Sequence, residues 1–325
     1  MTTEELKDFP GLEKVQKGIQ RLENVAWPEY DRKMKPDQYV KRVSKIITQE
    51  FNLLPSVLKT LAPNEFKLKI FRVRALKSIK NIGLIAEHSY PPAPIAGFGR
   101  CNLPDNPVFY SSNSPKTSLI EVIKNNRERS TEYCLTRWSI RENSENFVIQ
   151  HFLQSGLHPE NEFQLLADSV PEQIQEPFEN QLTDDQKAGL LEMMKFLDRT
   201  FVKDTTYAVS AALAHGSLYA PHDLATDILL YPSIQSKFKG VNFAIHPNFV
   251  DRCLRLTRIY IVKVTKMDLD LNEYDISFSK FGIVKKNRVF MYNIGPDRPE
   301  FEYYFKEDFK EYFPADLKFT YSRLK

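Results

Sequence analysis

Cysteine is scarce in this 325-residue chain: Cys101, Cys134 and Cys253 stand far apart and odd in number. They make neither a zinc-ligand spacing nor a disulfide framework, which predicts a reducing compartment. Long apolar runs are also missing, with nothing approaching the ~18–20 residues of a membrane-spanning helix. The start, MTTEELKDFP, is polar and partly acidic rather than cationic and apolar as in a secretory leader. These absences predict a cytoplasmic protein without a membrane partner. An excess of one charge is lacking too, since 45 Lys and Arg oppose 42 Asp and Glu for a formal net charge of +3. With no basic stripe beside them, the aromatic residues read as core, and direct nucleic-acid binding is not expected.

Common catalytic signatures are absent as well. "AGFGRCN" holds a G-x-G without the third glycine or the downstream acid of a dinucleotide-binding turn, and no Walker A sequence occurs. The six histidines never form H-x-x-x-H and none sits beside a cysteine, so no metal site is predicted. No G-x-S-x-G elbow anchors a serine hydrolase. Internal repeats and low-complexity tracts are missing.

What is present has the texture of a soluble globular protein, 42% hydrophobic and 27% charged. Its length suits one core domain with an added smaller element. Residues 1–64 read as a helical N-terminal segment: Tyr39, Val40, Val43, Ile46 and Ile47 recur at helical spacing after Pro36. Residues 65–325 read as the main domain. Within it, "FKLKIFRVRAL", "PVFYSS", "CLTRWSI", "DILLYPSIQ", "VNFAIHP" and "LRLTRIYIVKVTKM" read as strands. Asn113 or Ser114 is placed to cap a helix with Pro115 in its first turn. A helical insertion is predicted over about 145–215, where Thr183 and Gln186 form a capping box ahead of "KAGLLEMMKFLDRTF". A C-terminal extension covers about 270–325, with an aromatic hairpin expected from "FGIVKKNRVFMYNI" through "EFEYYFKEDF". Strands and helices do not alternate strictly, so the fold class is α+β.

A dispersed set of polar residues beside strands remains: Arg72, Arg100, Tyr110, Glu121 and Ser233. Each has an ordinary reading. Arg72 suits a solvated strand face, Tyr110 a sheet aromatic and Ser233, after Tyr231-Pro232, a turn. Glu121 lies roughly opposite the apolar direction set by Leu119, Ile120, Val122 and Ile123, which by itself describes a solvated helix position.

In order along the chain, however, these residues resemble the RES domain family, named for its Arg, Glu and Ser. The matching elements are Phe71-Arg72; Gly99-Arg100-Cys101-Asn102 with the Pro104–Pro107 turn; Val108-Phe109-Tyr110; Ser114-Pro115-Lys116-Thr117 leading to Glu121; Tyr231-Pro232-Ser233; and Gly240-Val241-Asn242-Phe243. The similarity spans roughly 66–265, with an insertion before Tyr207. Cys101 stands where many relatives have a bulky aromatic, and Val73 where some have tyrosine.

The resemblance implies an ADP-ribosyltransferase-like split β-sheet core and an enzyme that degrades NAD+, often as the toxin of a toxin–antitoxin pair. NAD+ would be substrate, with no separate cofactor. It implies that Glu121 and Arg72 are the catalytic residues, with Glu121 stabilising the ribosyl cation, and that Arg72 and Arg100 hold the pyrophosphate. Tyr110 would pack on the nicotinamide ring and Ser233 would bond the nicotinamide end or its ribose, with Asn102 and Tyr231 as further contacts. Water, phosphate or a macromolecule are the acceptors left open. A non-catalytic NAD+- or ADP-ribose-binding protein is the alternative from another class. A neutralising antitoxin or immunity protein is the partner a toxin requires, and self-association is left open.

Overall fold

The computed structural model describes residues 8–65, 68–123, 131–154, 156–173, 181–221, 225–268, 273–297 and 299–310. Ten strands among them form one mixed sheet: β1 (Leu58–Leu61), β2 (Ile70–Ala75), β3 (Phe109–Ser112), β4 (Glu132–Ile140), β5 (Phe147–His151), β6 (Ile228–Pro232), β7 (Val241–Ile245), β8 (Leu254–Asp268), β9 (Glu273–Lys285) and β10 (Arg288–Asn293). Their spatial order is β1-β5-β6-β7-β3-β2-β4-β8-β9-β10. Only the β5–β6 pair is parallel among those described. The architecture is mixed α+β, as the non-alternating pattern predicts.

The sheet is weakest in its middle. β2 runs beside β4 through six residue pairs but meets β3 through one, Phe71 with Ser112. The backbone of β2 therefore cannot satisfy the facing edge of β3. Arg72 supplies a substitute, donating from Nη1 to the Tyr110 carbonyl at 2.7 Å. β2 and β3 are thus joined by a short ladder and a side chain.

Strand alternation divides the core. On β6, Ile228 and Leu230 face one layer, while Leu229 and Tyr231 face another. The second layer is helical: α1 (Leu12–Leu22), α2 (Pro36–Phe51), α5 (Asp184–Lys203) and α6 (Ala208–Leu218) bury Val15, Tyr39, Phe51, Met193, Phe201 and Ala211 in one cluster. Pro36 opens α2, and Thr183 with Gln186 caps α5 reciprocally, both as the sequence predicts. α3 (Pro115–Ile123) bears on β2 through Ser118, whose hydroxyl donates to the Phe71 carbonyl at 2.8 Å. Three short helices, α4 (Gln164–Asp168), α7 (Pro247–Cys253) and α8 (Pro299–Phe309), complete the elements used below.

Three expectations need correction. Residues 1–64 are not solely helical, because Leu58–Leu61 forms the edge strand β1 against β5. The span 145–215 is not a pure helical insertion either: β5 lies inside it and is wholly buried between β1 and β6. A five-residue strand buried along its whole length has no period to separate it from neighbouring helices. Finally, β9 and β10 form a hairpin, but "EFEYYFKEDF" is helix α8. Phe301, Phe305 and Phe309 recur every fourth residue and make its buried stripe. Of the described helices, none is long and apolar enough to cross a membrane.

Candidate functional site

Beside the β2–β3 junction a cleft of about 430 Å³ opens. β2 contributes Arg72, β3 Tyr110, β6 Tyr231 and Pro232, β7 Asn242, and α3 Glu121; the 91–102 loop supplies Arg100 and Asn102. Among the described residues lining it, Arg72, Arg100 and Glu121 are the charged ones.

Glu121 reaches the cleft because α3 is seated tightly. Ser114 caps the helix, its Oγ accepting the Thr117 amide at 3.1 Å and donating to Thr117 Oγ1 at 2.8 Å. Thr117 then presses on Gly240, where an added Cβ would lie 2.1 Å from Thr117 Oγ1. Only glycine permits this approach. Asn113 ties the same corner to β7, its carboxamide oxygen accepting from the Val241 amide at 2.9 Å.

Two donors converge on one oxygen of the carboxylate. Ser233 Oγ donates to Glu121 Oε1 at 2.6 Å, and Asn242 Nδ2 donates to the same oxygen at 2.7 Å. Each donor is itself fixed. Ser233 Oγ accepts the Ser236 amide at 3.1 Å, and Asn242 Oδ1 accepts from Ser112 Oγ at 2.7 Å. Ser233 is 0% exposed. Its hydroxyl therefore serves the glutamate from beneath, instead of reaching a ligand as the resemblance implies. It is also the turn serine of the ordinary reading.

Arg72 is not a solvated strand residue. Its guanidinium lies 4.9 Å from the Phe109 ring centroid and its Nε is shielded without a hydrogen-bond partner. Among the described residues no carboxylate pairs with it. Burial, reinforced by neighbouring Arg74, lowers its pKa to about 9, so it stays charged at neutral pH. A shielded cation without a counter-charge is poised for an anion.

Arg100 is more heavily committed. It donates to the carbonyls of Phe201 and Val202 at the end of α5, the latter at 3.1 Å, and lies 5.2 Å from the Tyr207 ring centroid. Tyr207 adopts a left-handed φ of 62° at the head of α6. The carboxylate of Asp204 anchors that turn, accepting the Val209 and Ser210 amides at 2.9 Å each. Although burial opposes its charge, bonds from Ser210, Thr206 and Val209 keep the Asp204 pKa low.

Tyr110 lines the cleft, but its hydroxyl is occupied. It donates to Asn102 Oδ1 at 2.7 Å and accepts the Cys101 amide at 2.8 Å. Asn102 also donates to the Gly97 carbonyl, closing the loop. Tyr231 borders both cleft and core, its ring 5.6 Å from Phe201 edge-on. Burial raises both tyrosine hydroxyls well above their usual pKa. Cys101, the unusual residue of its motif, is 0% exposed between these rings, with its thiol pushed up to about 12 by burial. It is a packing residue.

The fold thus brings together Arg72, Arg100, Asn102, Tyr110, Glu121 and Tyr231 around one cleft, with Ser233 directly behind Glu121. Asn242 holds Glu121 as closely as Ser233 does, yet in the sequence it is only part of a motif. Its signal is register: it pairs with Tyr231 on one side and Ser112 on the other. Tyr207 and Phe98 also line the cleft and carry no sequence signal. His88, His151 and His215 are buried in packing roles, and His246 caps α7 through Nδ1. No protein-family model matches the chain, and no curated protein matches its sequence.

Proposed function

We propose that the protein cleaves the bond between nicotinamide and ribose in NAD+, releasing nicotinamide and passing ADP-ribose to water or phosphate. The observation that carries this reading is Glu121 itself: one carboxylate, fixed by two donors on Oε1, in a cleft whose other charges among the described residues are two arginines.

The chemistry fits that inventory. NAD+ brings a cationic pyridinium at one end and a pyrophosphate in its middle. The pyridinium leaves as neutral nicotinamide, so no general acid is required. Departure leaves an oxocarbenium-like ribosyl cation, which a preorganised carboxylate stabilises electrostatically. Ser233 and Asn242 hold that carboxylate in advance, limiting its reorganisation as charge develops. Arg72, cationic and without a counter-charge, suits the pyrophosphate, as do the guanidinium protons of Arg100 beyond its two carbonyl contacts. Attack at the anomeric carbon completes the reaction: water gives ADP-ribose and a proton, phosphate gives an ADP-ribose phosphate ester.

The ordered resemblance to the RES family and the weak β2–β3 junction at the cleft support the reading, the latter being what a split-sheet, ADP-ribosyltransferase-like core requires. A role as a toxin restrained by a neutralising protein follows from the same resemblance. The test is incubation with NAD+, with and without phosphate, followed by mass spectrometry. Nicotinamide with ADP-ribose or its phosphate supports the proposal; intact NAD+ after exposure to folded protein refutes it.

A further inference from the structure

The rim of the cleft differs in chemistry from its interior. Ile95 is 72% exposed, Ile234 40% and Phe98 38%, three of the seven large hydrophobic side chains exposed among the described residues. Their concentration at one cleft marks a contact surface rather than scattered surface apolarity. Phe98 is the ring among them.

Phe98 is held as a platform. Its loop is closed on both sides: the Gly99 amide donates to the Asn102 carbonyl at 3.0 Å and the Asp105 amide to the Ala96 carbonyl at 3.1 Å. Behind the ring lies Tyr30, offset-stacked with centroids 5.7 Å apart and planes 16° from parallel. Tyr30 meets Tyr39 edge-on at 5.1 Å, and the single Tyr39 hydroxyl proton is shared between the Ala208 carbonyl at 2.9 Å and the Pro28 carbonyl at 3.0 Å. Three rings therefore run from the helical layer to the rim. The last has one face covered and borders the cleft, two residues from Arg100 in sequence.

We propose that Phe98 is the stacking platform for the adenine base, with Tyr30 of the N-terminal segment as its backing. This rests on the reading of the cleft as an NAD+ site. The dinucleotide has two ends: Glu121 takes the ribose at the reacting end, the arginines take the pyrophosphate, and the flat base requires an aromatic surface at the mouth. Stacking on an already ordered ring avoids the entropy of fixing that ring on binding. The platform reads the adenylate half and contributes to affinity, not to bond cleavage.

The test compares NAD+ with nicotinamide mononucleotide, which carries the scissile bond but no adenylate. In Phe98→Leu, which keeps an apolar side chain and removes the ring, the preference for NAD+ over the mononucleotide, as a ratio of kcat/KM values, falls about tenfold through KM. Phe98→Trp restores it. An unchanged preference, or one that Phe98→Trp does not restore, overturns the platform. If the wild-type protein cleaves neither compound, the catalytic reading fails, and calorimetric binding of ADP-ribose decides the platform separately. Binding weakened about tenfold by Phe98→Leu supports it; equal binding, or none by the wild-type protein, overturns it.

Discussion

At the scale of single residues, what surrounds one carboxylate decides its chemistry. Two donors meet on Glu121 Oε1, one hydroxyl and one carboxamide. Removing either loosens the carboxylate without removing it. Asn242→Ala and Ser233→Ala are therefore expected to lower kcat about tenfold or more while KM moves little, as steady-state NAD+ kinetics would reveal. An effect confined to KM would place these residues in substrate binding instead. A different residue governs pH. Burial lowers the His151 pKa to about 4, with nearby Lys59 acting in the same direction. The unfolded chain takes up that proton near pH 6.5, so the stabilising contribution is present above 6.5 and is lost as pH falls towards 4. His88, His215 and His246 are lowered too, each chiefly by burial. Urea unfolding at pH 7 and pH 4.5 should show a large acid loss of stability, and His151→Leu should reduce that loss without abolishing it. A pH-independent midpoint contradicts this assignment.

At the scale of elements, what the sequence reveals depends on whether local pattern or tertiary contact decides. α2, α5 and α6 announce themselves by cap, period or apolar run, and β7 and β8 by their strand-rich composition. β5 and α8 do not, for the first is too short to have a period and the second has aromatics in a pattern that also suits a strand. α3 is the instructive case. Its wheel assigns Glu121 to a solvated face, but Pro115, Thr117, Ser118, Leu119 and Ile120 are all buried. A helix enclosed on most sides has no single apolar stripe, so the wheel cannot distinguish a cleft from bulk water. The order of motifs points to the residues that meet; the hydrogen bonds joining Asn242, Ser233 and Glu121 depend on register between distant strands. The seat of α3 gives the matching prediction. Gly240→Ala forces a methyl group onto Thr117, which should cost about 1–3 kcal/mol of stability and shift Glu121 enough to remove most turnover. Thermal unfolding and an NAD+ assay on one preparation check both effects, and a variant of wild-type stability and activity would contradict the contact.

At the scale of the whole molecule, the N-terminal segment is a layer of the core. Val15, Ile19, Tyr39, Val43, Ile47 and Phe51 share a buried cluster with Met193, Phe201 and Ala211. β1 also covers the edge of β5. A chain shortened to begin near residue 62 should therefore fail to unfold cooperatively on heating, rather than gain activity from an uncovered cleft. A truncated protein with a sharp thermal transition and raised turnover would reverse that conclusion. On the far side, α8 is latched by Asp308, which lies 3.0 Å from Arg258 and 3.4 Å from Arg137 and accepts the Tyr260 hydroxyl at 2.6 Å. Arg137 lies 5.2 Å from the ring centroid of Phe71, the residue that pairs β2 with β3. Helices from both ends of the described chain thus pack into the core that carries the cleft.

The central claim is that this cleft breaks the nicotinamide–ribose bond and that Glu121 is the group responsible. The measurement that tests it most directly is mass-spectrometric detection of nicotinamide from NAD+ by the wild-type protein and by Glu121→Gln, with folding of each verified by circular dichroism. The wild-type protein is expected to give nicotinamide with ADP-ribose, or with its phosphate ester when phosphate is present, and the variant essentially none. Intact NAD+ in the wild-type reaction, or equal release by a folded Glu121→Gln protein, would contradict it.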